Sequence, residues 1–332
     1  MKITMQDIAN TTGYSVSTVS RVLSGSGKIS DKAHKKIISA AQKLKYPVSR
    51  MRSAERNRET LNVGLITDFH QGEFYASLFY GFTEAAKKTG VRLSLISLLN
   101  PEKSQKEIMD YVSELYIDGL ILFIPEFNRS DYEDLERTLP KELPVISNAL
   151  IENPVFTTIT FDGYSGGHTA AQHLISKGYT SFGLIKGPFT KAESRFRYNG
   201  FRDFINSHNG SKLIWECEGD FNYNAGVKAF EEFKKLDIKP RAVFASNDLM
   251  CHGFMEAARY QGIRVPEDLA VIGYDDLPMC VHSHPSISSI KTDFQKLGSV
   301  TLNAMKEKIL NPDRQMGILS LIPVSLSARE SS

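Results

Sequence analysis

Five short polar side chains stand where apolar runs end: Asp68 after Gly-Leu-Ile-Thr, Asn148 after Val-Ile-Ser, Asp162 after Ile-Thr-Phe, Asn247 after Phe-Ala-Ser and Asp275 after Ile-Gly-Tyr. Each run reads as a strand, and in open α/β sheets ligands bind beyond the carboxyl ends of strands. Asp and Asn also cap helices at such turns. For Asp162, just before Gly163, capping and ligand contact stand as equal readings. Arg195 and Arg197 open a helix after the strand and turn Leu184 to Pro188. Arg197 offers a rigid donor fork for vicinal hydroxyls, a carboxylate or a phosphate, and Asp275 can accept from hydroxyls. The competing reading is an Arg and Asp pair that only links helix to strand. Phe74, Tyr75, Phe161 and Phe221 lie near the same loops, and each suits either a core or the apolar face of a sugar or base.

A second chemistry sits at the start of the chain. Met5 to Ser24 reads as two short helices broken at Gly13, a layout that suits a DNA-binding helix-turn-helix. Ile8 and the small Ala9 face inward in the first helix. In the second, Ser15 is the cap and Val19, Val22 and Leu23 supply the buried stripe. Val16, Ser17, Ser20 and Arg21 then point outward, with Thr18 beside them. They offer a methyl for thymine, hydroxyls for phosphates or base edges, and an Arg that can grip guanine bidentately. A bare helical cap would need no charge, yet through residue 60 there are twelve Lys or Arg against four Asp or Glu. The whole chain carries +2, so a basic head sits on an acidic body.

These groups need elements to hold them. A third helix fits Asp31 to Leu44, with Ser30 as cap and Ile37, Ile38, Ala41 and Leu44 as its stripe. Residues 48–59 are polar and basic and read as a linker, either a tether or a helix that orders on DNA. Beyond Leu61, strands expected at Val63–Thr67, Arg92–Leu98, Gly119–Ile124, Val145–Ser147, Thr158–Phe161, Phe182–Lys186, Ala242–Ser246 and Ala270–Gly273 alternate with amphipathic helices. This is the pattern of parallel sheets wrapped in helices. Eight strands exceed one comfortable sheet, so the expectation is two lobes. Ser288 to Leu326 then crosses back between them, with a helix at Phe294–Leu310 and a strand near Leu319–Pro323. The expected divisions are a headpiece at 1–47, a hinge at 48–60 and a body at 61–332. Within the body, the first lobe takes about 61–160 plus 291–320, and the second about 161–290 plus 321–330.

The 332 residues, 41% hydrophobic and 23% charged, describe an ordinary globular protein of two or three domains. Cys217, Cys251 and Cys280 show no CxxC spacing, so neither a disulfide framework nor a zinc site is indicated, and a reducing compartment is expected. The sequence has no apolar leader pattern and no run of eighteen apolar residues, which points to the cytoplasm. GxSxG, HExxH and the P-loop are all missing, and Gly163-Tyr-Ser-Gly-Gly lacks a nucleophile. Neither an enzyme nor a cofactor is expected.

With headpiece, linker and body in view, the chain resembles the lactose and galactose repressor (LacI/GalR) family of bacterial transcription regulators over nearly its whole length. The resemblance rests on Asp7-Ile-Ala with Val19-Ser-Arg-Val-Leu-Ser-Gly, Asp118-Gly-Leu-Ile, His173-Leu-Ile-Ser-Lys-Gly, Ala245-Ser-Asn-Asp-Leu-Met, Arg264-Val-Pro-Glu-Asp-Leu and Ile272-Gly-Tyr-Asp-Asp. It implies a periplasmic-binding-protein-like body and a homodimer whose headpieces read a pseudo-palindromic operator. Val16, Ser17 and Arg21 look like its base readers, with Thr18 and Ser20 beside them and Arg50 and Arg52 holding phosphates from the hinge. Phe74, Asn148, Phe161, Asp162, Arg197, Phe221, Asn247 and Asp275 match positions that commonly line the family's effector pocket. A sugar or sugar derivative is the expected effector, with a nucleobase as alternative. A cytosolic carrier and an architectural DNA binder are the rivals from other classes. The chain departs from the family at the hinge, where Glu55 stands at the position of a leucine that wedges between base pairs. A carboxylate cannot play that part beside phosphates, so either Met51 substitutes, or Ala54 packs loosely, or the hinge does not kink its operator. Of these, weaker bending is the expectation, and no C-terminal tetramerisation segment is recognised.

Overall fold

Local sequence signals set the first three helices. In α1 (Met5–Thr12) the Thr4 hydroxyl accepts from Asp7 N and the Asp7 carboxylate accepts from Thr4 N at 2.7 Å, a reciprocal cap. Gly13, at φ 75°, takes the left-handed turn that follows. Ser15 Oγ accepts from Thr18 N at 3.2 Å and caps α2 (Val16–Ser24), and Ser30 does the same for α3 (Asp31–Lys43). Ile8, Ala9, Val19, Val22, Leu23, Ile37 and Ala41 form one small core with Tyr46. The structure, a computed structural model, describes residues 3–24, 29–44, 46, 60–70, 72–98, 104–115, 117–312 and 318–332.

The body holds two six-stranded sheets. The first contains β1 (Asn62–Thr67), β2 (Arg92–Ser97), β3 (Gly119–Phe123), β4 (Val145–Ser147), β5 (Thr157–Phe161) and β11 (Leu319–Ile322), all parallel, in the order β11-β5-β4-β3-β1-β2. Helices α4 (Glu73–Thr89) and α12 (Phe294–Leu310) cover one face, and α5 (Ser104–Glu114) and α6 (Arg129–Thr138) the other. β1 and β3 are covered on both faces, which is why they read as unbroken apolar runs.

The second sheet contains β6 (Ser181–Lys186), β7 (Lys212–Glu218), β8 (Ala242–Ala245), β9 (Ala270–Asp275), β10 (Ser288–Lys291) and β12 (Ser325–Ser327), in the order β12-β10-β9-β8-β6-β7. Among the described residues only β10 and β12 pair antiparallel. Helices α7 (Gly163–Ser176) and α8 (Ala192–Ser207) lie on one face, and α9 (Tyr223–Lys234) and α10 (Asp248–Tyr260) on the other. The short α11 (Met279–His282) follows β9.

β7, β10 and β12 were not among the expected strands. β7 is an edge strand that buries Trp215 and Cys217 while its charged residues face water, so it lacks the apolar run of its neighbours. β10 and β12 lie in the segment expected only to cross between lobes. The chain crosses from sheet to sheet three times, at β5 to α7, β10 to α12 and β11 to β12. The glycines after Asp162 serve packing: a Cβ on Gly167 would strike Arg197 O, and one on Gly200 would strike Tyr164 O, where α7 crosses α8. The three cysteines are buried and free, and no helix among the described residues is long and apolar enough to cross a membrane.

Candidate functional site

A cavity of about 400 Å³ lies between the lobes, at the carboxyl ends of both sets of strands. Phe74, Asn148, Phe161, Arg197, Phe221, Asn247 and Asp275 all line it. Asp162 does not. Its carboxylate accepts from Ser165 N at 2.9 Å and from the Ser165 hydroxyl at 2.6 Å, capping α7.

Arg197, 8% exposed, donates from Nη1 to Ser246 O at 2.6 Å and from Nη2 to Asp275 Oδ1 at 3.3 Å. Its guanidinium carbon lies 3.8 Å from the centre of the Tyr274 ring, and its Nε has no partner. The pair therefore links helix to strand and faces the cavity as well. Asp275, at φ 110°, and Phe221, at φ 69°, hold left-handed backbone that ordinary residues avoid. Such strain costs about 1 to 3 kcal/mol and collects at ligand sites. Burial pushes the Asp275 carboxyl up to about 6. Asp248, fully enclosed and repelled by Asp275, is raised further, to about 8. It accepts from the Ser289 hydroxyl and from Leu277 N.

The two asparagines differ. Asn148 donates to Ile159 O and to the Thr301 hydroxyl, which leaves its Oδ1 buried and unpartnered beside the cavity. Asn247 caps α10 by accepting from Met250 N at 3.0 Å and donates to Phe221 O, fixing the strained turn that presents that ring. Phe74 packs edge-on to Phe294 and stacks with Phe123, while Phe161 also meets Phe294 edge-on.

Sequence reasoning missed Phe123, Phe294, Tyr274, Glu126, Lys191 and Glu193, all of which line the cavity. Phe294 comes from α12, far along the chain, and Glu193 looks like an ordinary first-turn acid. The available signal was the charged run Lys191, Glu193, Arg195, Arg197, the first three of which fasten the second lobe to the first. Lys191 pairs with Glu126, Glu193 Oε1 accepts from Leu150 N at 2.7 Å, and Arg195 pairs with Glu152 at 3.1 Å. On the other side Glu73 accepts from Met279 N at 2.8 Å. Burial raises the Glu193 carboxyl above the usual range.

In the headpiece Val16, Ser17 and Arg21 are exposed on α2, while Thr18 and Ser20 are half-buried. The Thr18 hydroxyl is 2.8 Å from that of Ser15, so it belongs partly to the cap. Arg50, Arg52 and Glu55 lie outside the described residues.

Residues 4–49 match the model of bacterial regulatory proteins of the lacI family, and residues 171–332 match a periplasmic binding protein-like domain. The ribose operon repressor of Escherichia coli K12 is 28% identical over 330 residues, 97% of each chain. The repressor PurR of Aliivibrio salmonicida is 26% identical over 96% of each. Among solved structures, the Lac repressor bound to ONPG superposes with TM-score 0.74 at 25% identity, covering 100% of each chain. A complex of the transcriptional regulator CelR with cellobiose gives 0.72 at 25% identity, covering 99% of this chain and 100% of that one.

Proposed function

The chain belongs to the LacI family of bacterial regulatory proteins, and from that premise we propose that it is a cytoplasmic, homodimeric repressor whose operator affinity is set by a small ligand between its lobes. The supporting observation is the inter-lobe cavity, into which Arg197 and Asp275 project a charged pair between aromatic walls. Val16, Ser17 and Arg21 read bases, with Thr18 and Ser20 beside them on α2, and Arg50 and Arg52 hold phosphates. Two headpieces held by one dimer read half-sites related by the dimer axis. The ligand closes the lobes and changes headpiece spacing, a coupling of about 1 to 3 kcal/mol.

A sugar or sugar derivative is the ligand we favour, because a guanidinium, a carboxylate and an amide oxygen suit hydroxyls while phenyl rings suit a sugar's apolar face. A nucleobase is the second reading, favoured by the strained turn that presents Phe221 next to Arg197. The test is a thermal-shift screen of sugars and nucleobases on the full chain, followed by DNA-binding titrations with and without each hit on a site selected from random duplexes. A hit that also shifts DNA affinity bears the proposal out. Selective DNA binding with no hit in either class makes the body a mere dimeriser, and failure to select any site removes the regulator.

A further inference from the structure

We propose that Asp68, His70 and Glu126 form a site for one divalent transition cation of the zinc class at the first-lobe rim of the cleft. Asp68 and His70 follow β1, and Glu126 follows β3, the strand beside it. One donor atom from each lies within 4.8 Å of the other two, a grouping found nowhere else among the described residues. Asp68 supplies an independent sign. It is only 6% exposed, its Oδ1 has no hydrogen-bond partner, and its Oδ2 stands 3.6 Å from His70 Nε2, beyond a good hydrogen bond. A carboxylate so withdrawn from water, with one oxygen unpartnered, favours a cation beside it.

The donor set selects the ion. One imidazole nitrogen with two carboxylates suits borderline divalent metals, whereas calcium and magnesium favour oxygen alone. Three protein ligands would leave a coordination position for water or a ligand, and His70 and Glu126 both line the cavity. Glu126 is also the partner of Lys191 from the second lobe. A cation on Glu126 displaces Lys191 and removes one tie across the cleft. The binding site stands without the repressor reading; only its effect on lobe closure rests on that reading.

The full-length chain, stripped with a chelator, is titrated with Zn²⁺ in competition with a chromophoric chelator, beside His70→Ala, Asp68→Asn, Lys191→Met and the control His284→Ala. Neither ligand nor DNA is needed, so failure here is separate from failure of the repressor reading. One Zn²⁺ per chain is expected, bound roughly tenfold or more weakly by His70→Ala and Asp68→Asn. Lys191→Met, which removes the competitor, binds severalfold more tightly, and His284→Ala matches the parent. His70 is largely exposed, so its removal leaves the fold intact. No stoichiometric binding at micromolar free zinc overturns the site, as does undiminished binding by His70→Ala. Unchanged affinity in Lys191→Met overturns the displacement.

Discussion

Arg197 carries more of the cleft than any other side chain, because it holds the Ser246 carbonyl and Asp275 while keeping Nε unpartnered. Arg197→Ala removes a donor fork and strands Asp275 beside Asp248, so ligand affinity falls by about 3 kcal/mol, roughly a hundredfold. Calorimetry with the ligand found by screening checks this, and DNA binding in its absence stays at the parent level. Undiminished ligand affinity would remove Arg197 from the site. Asp248 allows a pH test. Its folded pKa lies above its unfolded value, so its contribution to stability is full below about pH 4 and is lost as pH rises through about 8. The melting temperature of the parent minus that of Asp248→Asn should therefore fall from pH 5 to pH 8; a flat difference refutes the raised pKa. Arg197 and Asp275 could be singled out in the sequence because Arg197 opens a helix just after a strand and turn while Asp275 ends a strand, and both residue types suit a polar ligand. Asp162 and Asn247 were not separable, because a cap and a ligand contact use the same oxygen. Only packing placed one off the cavity and the other on it.

Among the elements, the crossing of α7 and α8 sets where Arg197 stands, since Gly163 lies against its side chain and Gly167 against its carbonyl. Gly200→Val drives a branched side chain into the backbone at Tyr164, with a cost of about 3 kcal/mol. Urea unfolding followed by circular dichroism measures it, and a loss under 1 kcal/mol would mean that the helices separate without penalty. The central strands were legible because burial on both faces leaves an apolar run. β7 was hidden because an edge strand keeps charges on its solvent face, and β12 because three residues carry too little pattern. The glycine run after Asp162 was visible, but its purpose depends on Gly200, which only the fold brings near.

For the whole molecule, the question is what holds the lobes at their present separation. Glu126 to Lys191 and Glu152 to Arg195 tie one rim, Glu193 reaches Leu150 N, and Glu73 reaches Met279 N on the other side. Glu152 is exposed, so its pair is worth at most about 1 kcal/mol, and Glu73 contributes one further hydrogen bond. Arg195→Ala combined with Glu73→Ala should therefore lower ligand affinity about fivefold to tenfold without touching the cavity wall. Linkage requires that the ligand-free operator affinity of this variant move too, toward the value of the open form. Titrating both ligand and operator checks the two numbers against each other. If ligand affinity drops while operator affinity stays fixed, the lobes close without moving the headpieces, and the control of DNA binding must run through residues 48–59 by another route.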